Sequence, residues 1–300
     1  KAPSPAPWFT DVSARLAHRH EASAFDDFAR QSLLPHRLSE LGPGVSWIDL
    51  DGDGREELVI AGGNGSQPAA FRAGDQGAFV RLRGPVWDRE LTRAQTTILA
   101  WPRATGGTAL LAGSSNFEDG LAEGGSVRTY DIGAQKIDDA IPGAPATTGP
   151  LAMADLDGDG ALDLFVGGRC VPGRWPEAAA SRVFRQIDGQ FVADEANTAV
   201  LAGVGLISGA VFTDLNGDGA PDLALAGEWG PVRLFRNDRG RLTPWDPEIE
   251  LTAVPSMKHL SDLTGLWNGI TAGDFDGDGR LDLVVGNAGR NTRFERGLGR

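Results

Sequence analysis

Four short segments of the chain place acidic side chains two residues apart. In each segment Asp or Asn occupies positions 1, 3 and 5, Gly occupies position 6, and an acidic residue occupies position 9. In chain order these side chains are Asp49, Asp51, Asp53 and Glu57; Asp155, Asp157, Asp159 and Asp163; Asp214, Asn216, Asp218 and Asp222; and Asp274, Asp276, Asp278 and Asp282. Carboxylates packed this closely repel one another, and a hard cation with oxygen ligands relieves the repulsion. The spacing therefore predicts four metal sites.

Calcium is the cation that best fits this set of donors. It takes 6–8 oxygen ligands at about 2.3–2.6 Å in a flexible cage. The four side chains, a water and the backbone carbonyl at position 7 supply that number. The position-7 carbonyls belong to Arg55, Ala161, Ala220 and Arg280. Magnesium prefers fewer protein ligands and keeps more of its waters, so we expect Ca²⁺ at all four sites.

Position 12 of each segment distinguishes between two kinds of calcium loop. An EF-hand needs a bidentate Glu there, whereas this chain has Ile60, Val166, Leu225 and Val285. These residues belong to short apolar runs that end at Gly, which is typical of strands. Each loop should therefore join two strands. Turns rich in Asp and Gly also occur without any metal, but four copies that all carry an acid at position 9 favour calcium.

The acidic segments are parts of a longer internal repeat. A degenerate copy lies between the first two, over Thr97–Gly113, with Ala100, Pro102, Ala104 and Thr108 at the ligand positions. A strand, a loop, a second strand and two further strands fill about 55 residues, which suits a four-stranded propeller blade. The sequence thus predicts an all-β protein, a β-propeller of four-stranded blades. Five repeats are visible, of which the second is degenerate and the last incomplete.

The domain organisation follows from these repeats. Residues 1–7 form a Pro/Ala-rich linker and residues 8–300 form the propeller. We expect the chain to be a fragment of a larger propeller protein, because the last acidic loop leaves room for only half a blade. In the alternative, a terminal strand over residues 8–12 pairs with residues 292–295 and closes a five-bladed ring. One short helix is expected within residues 22–34.

Composition excludes several classes of partner. The formal net charge is −13, from 41 acidic and 28 basic residues, which argues against nucleic acid as a partner. No apolar run is long enough for a membrane-spanning helix, so membrane insertion is not expected. The single cysteine, Cys170, excludes an intramolecular disulfide. No signal peptide is visible in the sequence.

These segments resemble a known family of repeats. The acidic motif is similar to the FG-GAP (VCBS-type) repeat of integrin-like calcium-binding β-propellers. Longer stretches resemble one group within that family, the cartilage-acidic-protein-like proteins with an ASPIC/UnbV domain. These stretches are 25–44, 164–177, 226–235 and 265–279. The resemblance implies a non-enzymatic propeller that is exported to the extracellular space, the periplasm or the cell surface.

A second site is expected on the face opposite the acidic loops, where the loops after the second strands of the blades emerge. Candidate ligand residues there are Arg169, Trp175, Glu228 and Trp229, because Trp and Arg dominate binding hot spots. The alternative is that these tryptophans pack between blades. Trp47 and Trp101 lie within inner strands and are expected in the core.

Two functions compete. The first is a calcium-stabilised interaction module that binds a protein or glycan ligand. The second is a calcium-dependent polysaccharide lyase or hydrolase on the same scaffold. The second needs a base or a pair of carboxylates outside the metal loops, and the sequence contains no such convergent set and none of the common catalytic motifs. The first is therefore favoured.

Overall fold

The computed structural model describes residues 8–74, 77–103, 106–251 and 256–289. The predicted linker at 1–7, Ala104 of the degenerate loop and the predicted closing strand at 292–295 lie outside these ranges. No helix within them is long and apolar enough to cross a bilayer.

Antiparallel sheets make up nearly all of the regular structure, and each blade pairs its strands in chain order. Blade 1 consists of β1 (Val45–Ile48), β2 (Glu57–Ile60), β3 (Ala69–Ala73) and β4 (Phe79–Arg81). Blade 2 consists of β5 (Gln95–Pro102), β6 (Thr108–Ser114), β7 (Gly125–Asp131) and β8 (Lys136–Pro142). Blade 3 consists of β9 (Thr147–Ala154), β10 (Asp163–Cys170), β11 (Arg182–Ile187) and β12 (Gln190–Ala193). Blade 4 consists of β13 (Leu206–Thr213), β14 (Asp222–Pro231), β15 (Arg233–Asp238) and β16 (Arg241–Trp245).

Blade 5 contributes two strands to the described ranges, β17 (Thr264–Gly273) and β18 (Asp282–Asn287). The end of β14 runs on past its own blade and pairs with β17, so that blades 4 and 5 share one sheet. The ring is not closed within the described ranges. The prediction of an all-β propeller of four-stranded blades is confirmed.

Hydrogen bonds between blades arrange the first strands around a common axis. The Ser46 hydroxyl donates to the Ile98 carbonyl at 2.7 Å, and the Thr96 hydroxyl donates to the Gly149 carbonyl at 3.0 Å. Ser208 makes the same kind of bond to Trp267. The first strand is therefore the inner strand of each blade, and the turn that follows it lies on one face of the propeller.

The core consists of apolar layers between successive blades, because each sheet presents one side to the blade before it and one to the blade after it. Representative buried residues are Val59, Leu110 and Tyr130 between blades 1 and 2, Leu111, Leu164 and Phe184 between blades 2 and 3, and Phe165, Leu223 and Phe235 between blades 3 and 4. Trp101 belongs to these layers, as predicted. Trp47 does not, since 51 % of it is exposed. The prediction for Trp47 was wrong because blade 1 has a neighbouring blade on only one side in the described structure.

The helices are short. They are α1 (Ser13–Leu16), α2 (Asp27–Arg30) and α3 (Glu195–Val200). The helix expected within 22–34 is the single turn α2, whose N-terminal amides at Phe28 and Ala29 are capped by Asp26. Helix α3 was not predicted from the sequence. Asp194 caps it by accepting the backbone N–H of Asn197. Residues 8–12 form no strand, and Trp8 is almost fully exposed. Closure of the ring through residues 292–295 stays a prediction, because those residues lie outside the described ranges.

The inner strands of blades 1 and 2 approach each other too closely for a side chain at Gly44. A Cβ there would lie 2.8 Å from the Thr97 Cα. We expect Gly44→Ala to lower the free energy of unfolding by about 1–3 kcal/mol, because backbone must move to relieve the overlap. Gly269 is a matched control, since it lies equally far before its acidic loop and a Cβ there meets nothing within 4 Å. Urea denaturation of both variants tests this, and equal stabilities would contradict the close packing.

Candidate calcium loops and the opposite face

The four acidic segments form the turns between the first and second strands of blades 1, 3, 4 and 5, and they share one hydrogen-bond pattern. The position-1 Asp carboxylate accepts the backbone N–H groups of the glycines at positions 4 and 6, at 2.7–3.0 Å in every loop. The position-5 Asp accepts the N–H of position 7 at 2.7–2.9 Å. Because the glycines at 4 and 6 have positive φ, the backbone can curl around the position-1 carboxylate.

The position-9 acid fastens the second strand to the start of the loop. Glu57, Asp163 and Asp222 are buried, and Asp282 is half-buried. In all four loops a carboxylate oxygen accepts the N–H of position 2, at 3.0–3.2 Å. The side chain predicted to close the metal site therefore also holds the hairpin together.

Carboxylate oxygens converge in three of the loops. Each of three side chains offers an oxygen within 4.8 Å of the other two, in the groups Asp49, Asp51 and Asp53; Asp155, Asp157 and Asp159; and Asp274, Asp276 and Asp282. The third acidic loop has Asn216 at position 3, where an amide oxygen replaces a carboxylate. These donors are all oxygens of hard-ligand type, and their number and closeness fit Ca²⁺.

Two arginines that the sequence reading missed lie beside the first two loops. Arg72 on β3 pairs with Glu57 at 2.7 Å and also with Asp51. Arg185 on β11 pairs with Asp163 at 2.7 Å and with Asp157 at 3.1 Å. Both follow a Phe on the third strand of their blade, and Phe235-Arg236 repeats the dipeptide in blade 4. The repeated Phe-Arg dipeptide was the feature of the sequence from which these arginines could have been predicted.

Arg236 behaves differently from its two counterparts. Its guanidinium stacks over the Trp245 ring, 4.3 Å from the ring centroid. The acids of the third acidic loop consequently lack the arginine neighbour that Arg72 and Arg185 provide in the first two. In blade 2, which lost the acidic residues, Asp131 and Ile132 lie in the place of the Phe-Arg pair, because Asp131 pairs with Ala109 as Phe71 pairs with Leu58.

Local charge and burial shift the pKa values of the loop acids in opposite directions. The Arg55 side chain lowers the pKa of Asp53, and Arg280 does the same to Asp278. Burial raises the pKa of Asp163 and of Asp222, although backbone N–H groups offset part of the effect. Desolvation also acts on Asp214, but the N–H groups of the loop outweigh it and lower the pKa. The lowered pKa values keep Asp53, Asp214 and Asp278 anionic at neutral pH.

The degenerate copy in blade 2 has a different turn. Ala100 and Pro102 lie within β5, and Thr108 begins β6. The strands therefore extend to where the acidic loop would lie. The Arg103 backbone N–H donates to the Gly107 carbonyl at 3.0 Å, and the Gly106 N–H donates to the Arg103 carbonyl at 2.9 Å. The described part of this turn contains no acidic residue.

The N-terminal strap, which we define as residues 22–41, lies over part of the opposite face. The strap crosses the loops that follow the second strands of blades 1 to 4. Ser23 N donates to Asn64 O at 2.7 Å, and Arg30 donates to Glu118 O at 3.0 Å. Gln31 Oε1 accepts a hydrogen bond from the backbone N–H of Trp175 at 3.1 Å. Leu34 and Leu38 are buried against Phe117, Cys170 and Leu206.

The strap buries three of the four candidate ligand residues partly or fully. Arg169 and Glu228 are buried, with 6 % and 4 % of each residue exposed, and Trp175 packs against the strap cluster. Trp229 is 53 % exposed and has a positive φ of 56° at the irregularity between β14 and β17. The structure thus brings Arg169 and Glu228 together beneath the strap and leaves Trp229 outside.

Arg169 and Glu228 form a buried ion pair that His36 of the strap completes. Arg169 Nη2 donates to Glu228 Oε1, and His36 Nε2 lies 3.0 Å from the same oxygen. Desolvation by itself raises the pKa of Glu228, but His36 and Arg169 outweigh it and lower the pKa to about 2. Glu228 is therefore an anion at neutral pH, and it ties blade 4 to blade 3 and to the strap.

Part of the chain matches a known family of repeats. Residues 214–285 match the family model of the FG-GAP-like repeat. The match begins at the acidic loop of blade 4 and ends in β18, so it contains two complete acidic loops. No curated protein matches the chain. The structure is an all-β propeller, and the stretch of it that holds the last two acidic loops is similar to the FG-GAP-like repeat.

Proposed function

We propose that this protein is a calcium-stabilised β-propeller interaction module that is exported and binds a protein or glycan ligand. The observation that carries the proposal is the shared geometry of the four acidic loops, in which oxygen donors gather at one turn of each of four blades. Repeated donors at equivalent turns support a structural metal that sets the angle between the first two strands.

In each loop the residues at positions 1, 3, 5 and 9, together with the position-7 carbonyl, would hold the ion. Bound calcium would supply positive charge that offsets the repulsion between carboxylates. The chain's own part is to hold the donors in place, through the glycine N–H groups on position 1 and the position-2 N–H on position 9. Membership of the ASPIC/UnbV group is proposed from the resemblance of residues 25–44, 164–177, 226–235 and 265–279, and an integrin-like role from the resemblance of the acidic motif.

Export follows from the affinity expected of such loops. Extracellular calcium modules bind with Kd values of about 10⁻⁴–10⁻³ M. Sites of that strength are largely filled in calcium-rich extracellular fluid and largely empty in a cytosol with far less calcium. We propose export because the calcium ions that stabilise the fold would occupy these sites only where calcium is abundant.

Isothermal titration calorimetry of the metal-free protein should show about four calcium ions bound, with the degenerate turn of blade 2 taking none. We expect Asp155→Ala to remove one ion, because position 1 organises the whole loop. Asp138→Ala is the matched control, since Asp138 lies on β8 of blade 2 and pairs only with exposed Lys136. A stoichiometry unchanged by Asp155→Ala, or an ion bound near Arg103–Gly107, would contradict the assignment.

The interaction function is tested by probing protein and glycan arrays with the calcium-loaded chain. Saturable retention of one class of ligand supports a binding module. Turnover of a polysaccharide without retention supports the alternative, a calcium-dependent lyase or hydrolase, and overturns the proposal.

A further inference from the structure

A cavity of about 360 Å³ opens at the centre of the face opposite the acidic loops. The starts of the inner strands of blades 2 to 5 line it, together with the N-terminal strap. Its wall includes Thr97, Arg169, Ser208, Leu266, Asn268 and, from the strap, His36. Its volume lies in the range of small-molecule sites, and it is separate from the acidic loops.

Arg169 is the buried polar group of this wall. Its side chain is 7 % exposed, and Glu228 accepts one of its donors. Arg169 Nη1 has no hydrogen-bond partner among the described residues. A buried donor without an acceptor costs free energy and needs an explanation, and a ligand acceptor entering the adjoining cavity would supply one after a small movement of the guanidinium.

The charges around the cavity favour a neutral ligand. Ionised Glu228 cancels the charge of Arg169, and Arg37 pairs with Glu40 at the rim. A carboxylate ligand would meet Glu228 behind the guanidinium, and an ammonium ligand would meet Arg169. The buried groups therefore attract neither an anionic nor a cationic ligand into the cavity.

The hydrogen-bonding groups favour a hydroxyl-rich ligand. Ser208 and Thr97 donate their hydroxyl protons to backbone carbonyls, at Trp267 and Gly149, so their oxygens are left as acceptors. Arg169 is a donor, and the Asn268 amide can do both. A hydroxyl both donates and accepts, so a ring that carries several hydroxyls can pair with all of these groups. Leu266 adds an apolar surface for C–H groups.

We propose that this cavity binds the uncharged, hydroxyl-rich ring of a sugar unit. The proposal rests on the interaction function above and names its ligand class, and it assigns the binding to Arg169, Asn268 and the hydroxyls between the inner strands. Because the acidic loops lie on the other face, calcium contributes to this binding only by holding the blades in place.

Saturation-transfer NMR and calorimetry with three matched probes test the ligand class: glucose, glucosamine and glucuronate, with galactose, mannose and N-acetylglucosamine as further neutral rings. At least one neutral sugar should bind saturably, and about tenfold more tightly than its charged counterpart. Failure of every neutral sugar to bind, or tighter binding of glucuronate, overturns the proposal.

Variants locate the site. Asn268→Trp should fill the cavity and abolish binding, whereas Thr271→Trp, an exposed position on the same strand outside the cavity, should leave it intact. Arg169→Lys keeps the charge beside Glu228 and removes the Nη1 donor, so affinity should fall about tenfold with little change in melting temperature.

Binding that survives Asn268→Trp overturns the assignment. An array ligand that Asn268→Trp leaves unaffected overturns the cavity alone, while the absence of any array ligand counts against the interaction function itself.

Discussion

Removing calcium is expected to lower the free energy of unfolding of this propeller by roughly 2–6 kcal/mol. A site contributes RT ln(1 + [L]/Kd), and at about 1 mM calcium a Kd of about 10⁻⁴–10⁻³ M gives about 0.4–1.4 kcal/mol per loop. Four loops add to a change comparable with the whole stability of many domains, about 5–15 kcal/mol. Melting curves in EGTA, in 1 mM calcium and in 1 mM magnesium measure it.

The loss should be uneven along the chain. Arg72 and Arg185 neutralise part of the charge in the first two acidic loops, whereas Arg236 stacks on Trp245 and is not available to the third. The first loop also has Arg55 paired with Asp53, so its four acids face two arginines, while the three acids of the third loop face none among the described residues. Without calcium we therefore expect faster amide exchange at Gly217 and Gly219 than at Gly52 and Gly54. Hydrogen–deuterium exchange resolves the difference.

A variant and a control make the calcium experiment specific. Asp278→Ala should reduce the calcium-dependent rise in Tm, because position 5 is a predicted ligand of the fourth acidic loop. Asp138→Ala, outside the loops, should leave the rise as in the parent. If the parent melts at the same temperature in EGTA and in calcium, the loops are acidic turns and hold no structural metal.

Glu228→Gln is expected to cost about 3–5 kcal/mol at neutral pH, because it leaves the buried Arg169 guanidinium without a counter-charge. Glu40→Gln is the control, since Glu40 pairs with Arg37 at the exposed surface, where an ion pair is worth about 0–1 kcal/mol. Replacing both charges, as Arg169→Met with Glu228→Leu, should recover part of the loss.

The same pair predicts a pH dependence. The pKa of Glu228 falls from 4.5 to about 2 on folding, so the folded state favours the ionised form by about 3 kcal/mol. This stabilisation is complete above pH 4.5 and is lost as the pH falls towards 2. The stability difference between the parent and Glu228→Gln should narrow over that range. Urea denaturation at several pH values checks it, and a constant difference would show that Glu228 is not the titrating group.

The acidic loops and the blade repeat could be predicted from the sequence because everything that forms them is local. The donors of Asp49 and the closing acid Glu57 lie within nine consecutive positions, and the apolar run that follows identifies the second strand. The loss of the site in blade 2 was visible for the same reason, at Ala100 and Pro102. Only the arginines opposite position 9 were missed, although their Phe-Arg dipeptide repeats.

The opposite face was decided by tertiary structure. Gln31 meets Trp175 across 144 positions of sequence, and no periodicity in residues 22–41 indicates that they pass over four blades. The strap converts Arg169 and Glu228 from candidate surface residues into a buried pair. The position of a blade in the stack likewise decides burial: Trp47 and Trp101 read alike as inner-strand residues, but only Trp101 has a neighbouring blade on its side in the described structure. Sequence determined what each blade is, because a blade is built from neighbours in the chain; the burial of its surfaces depended on which distant segments pack against them.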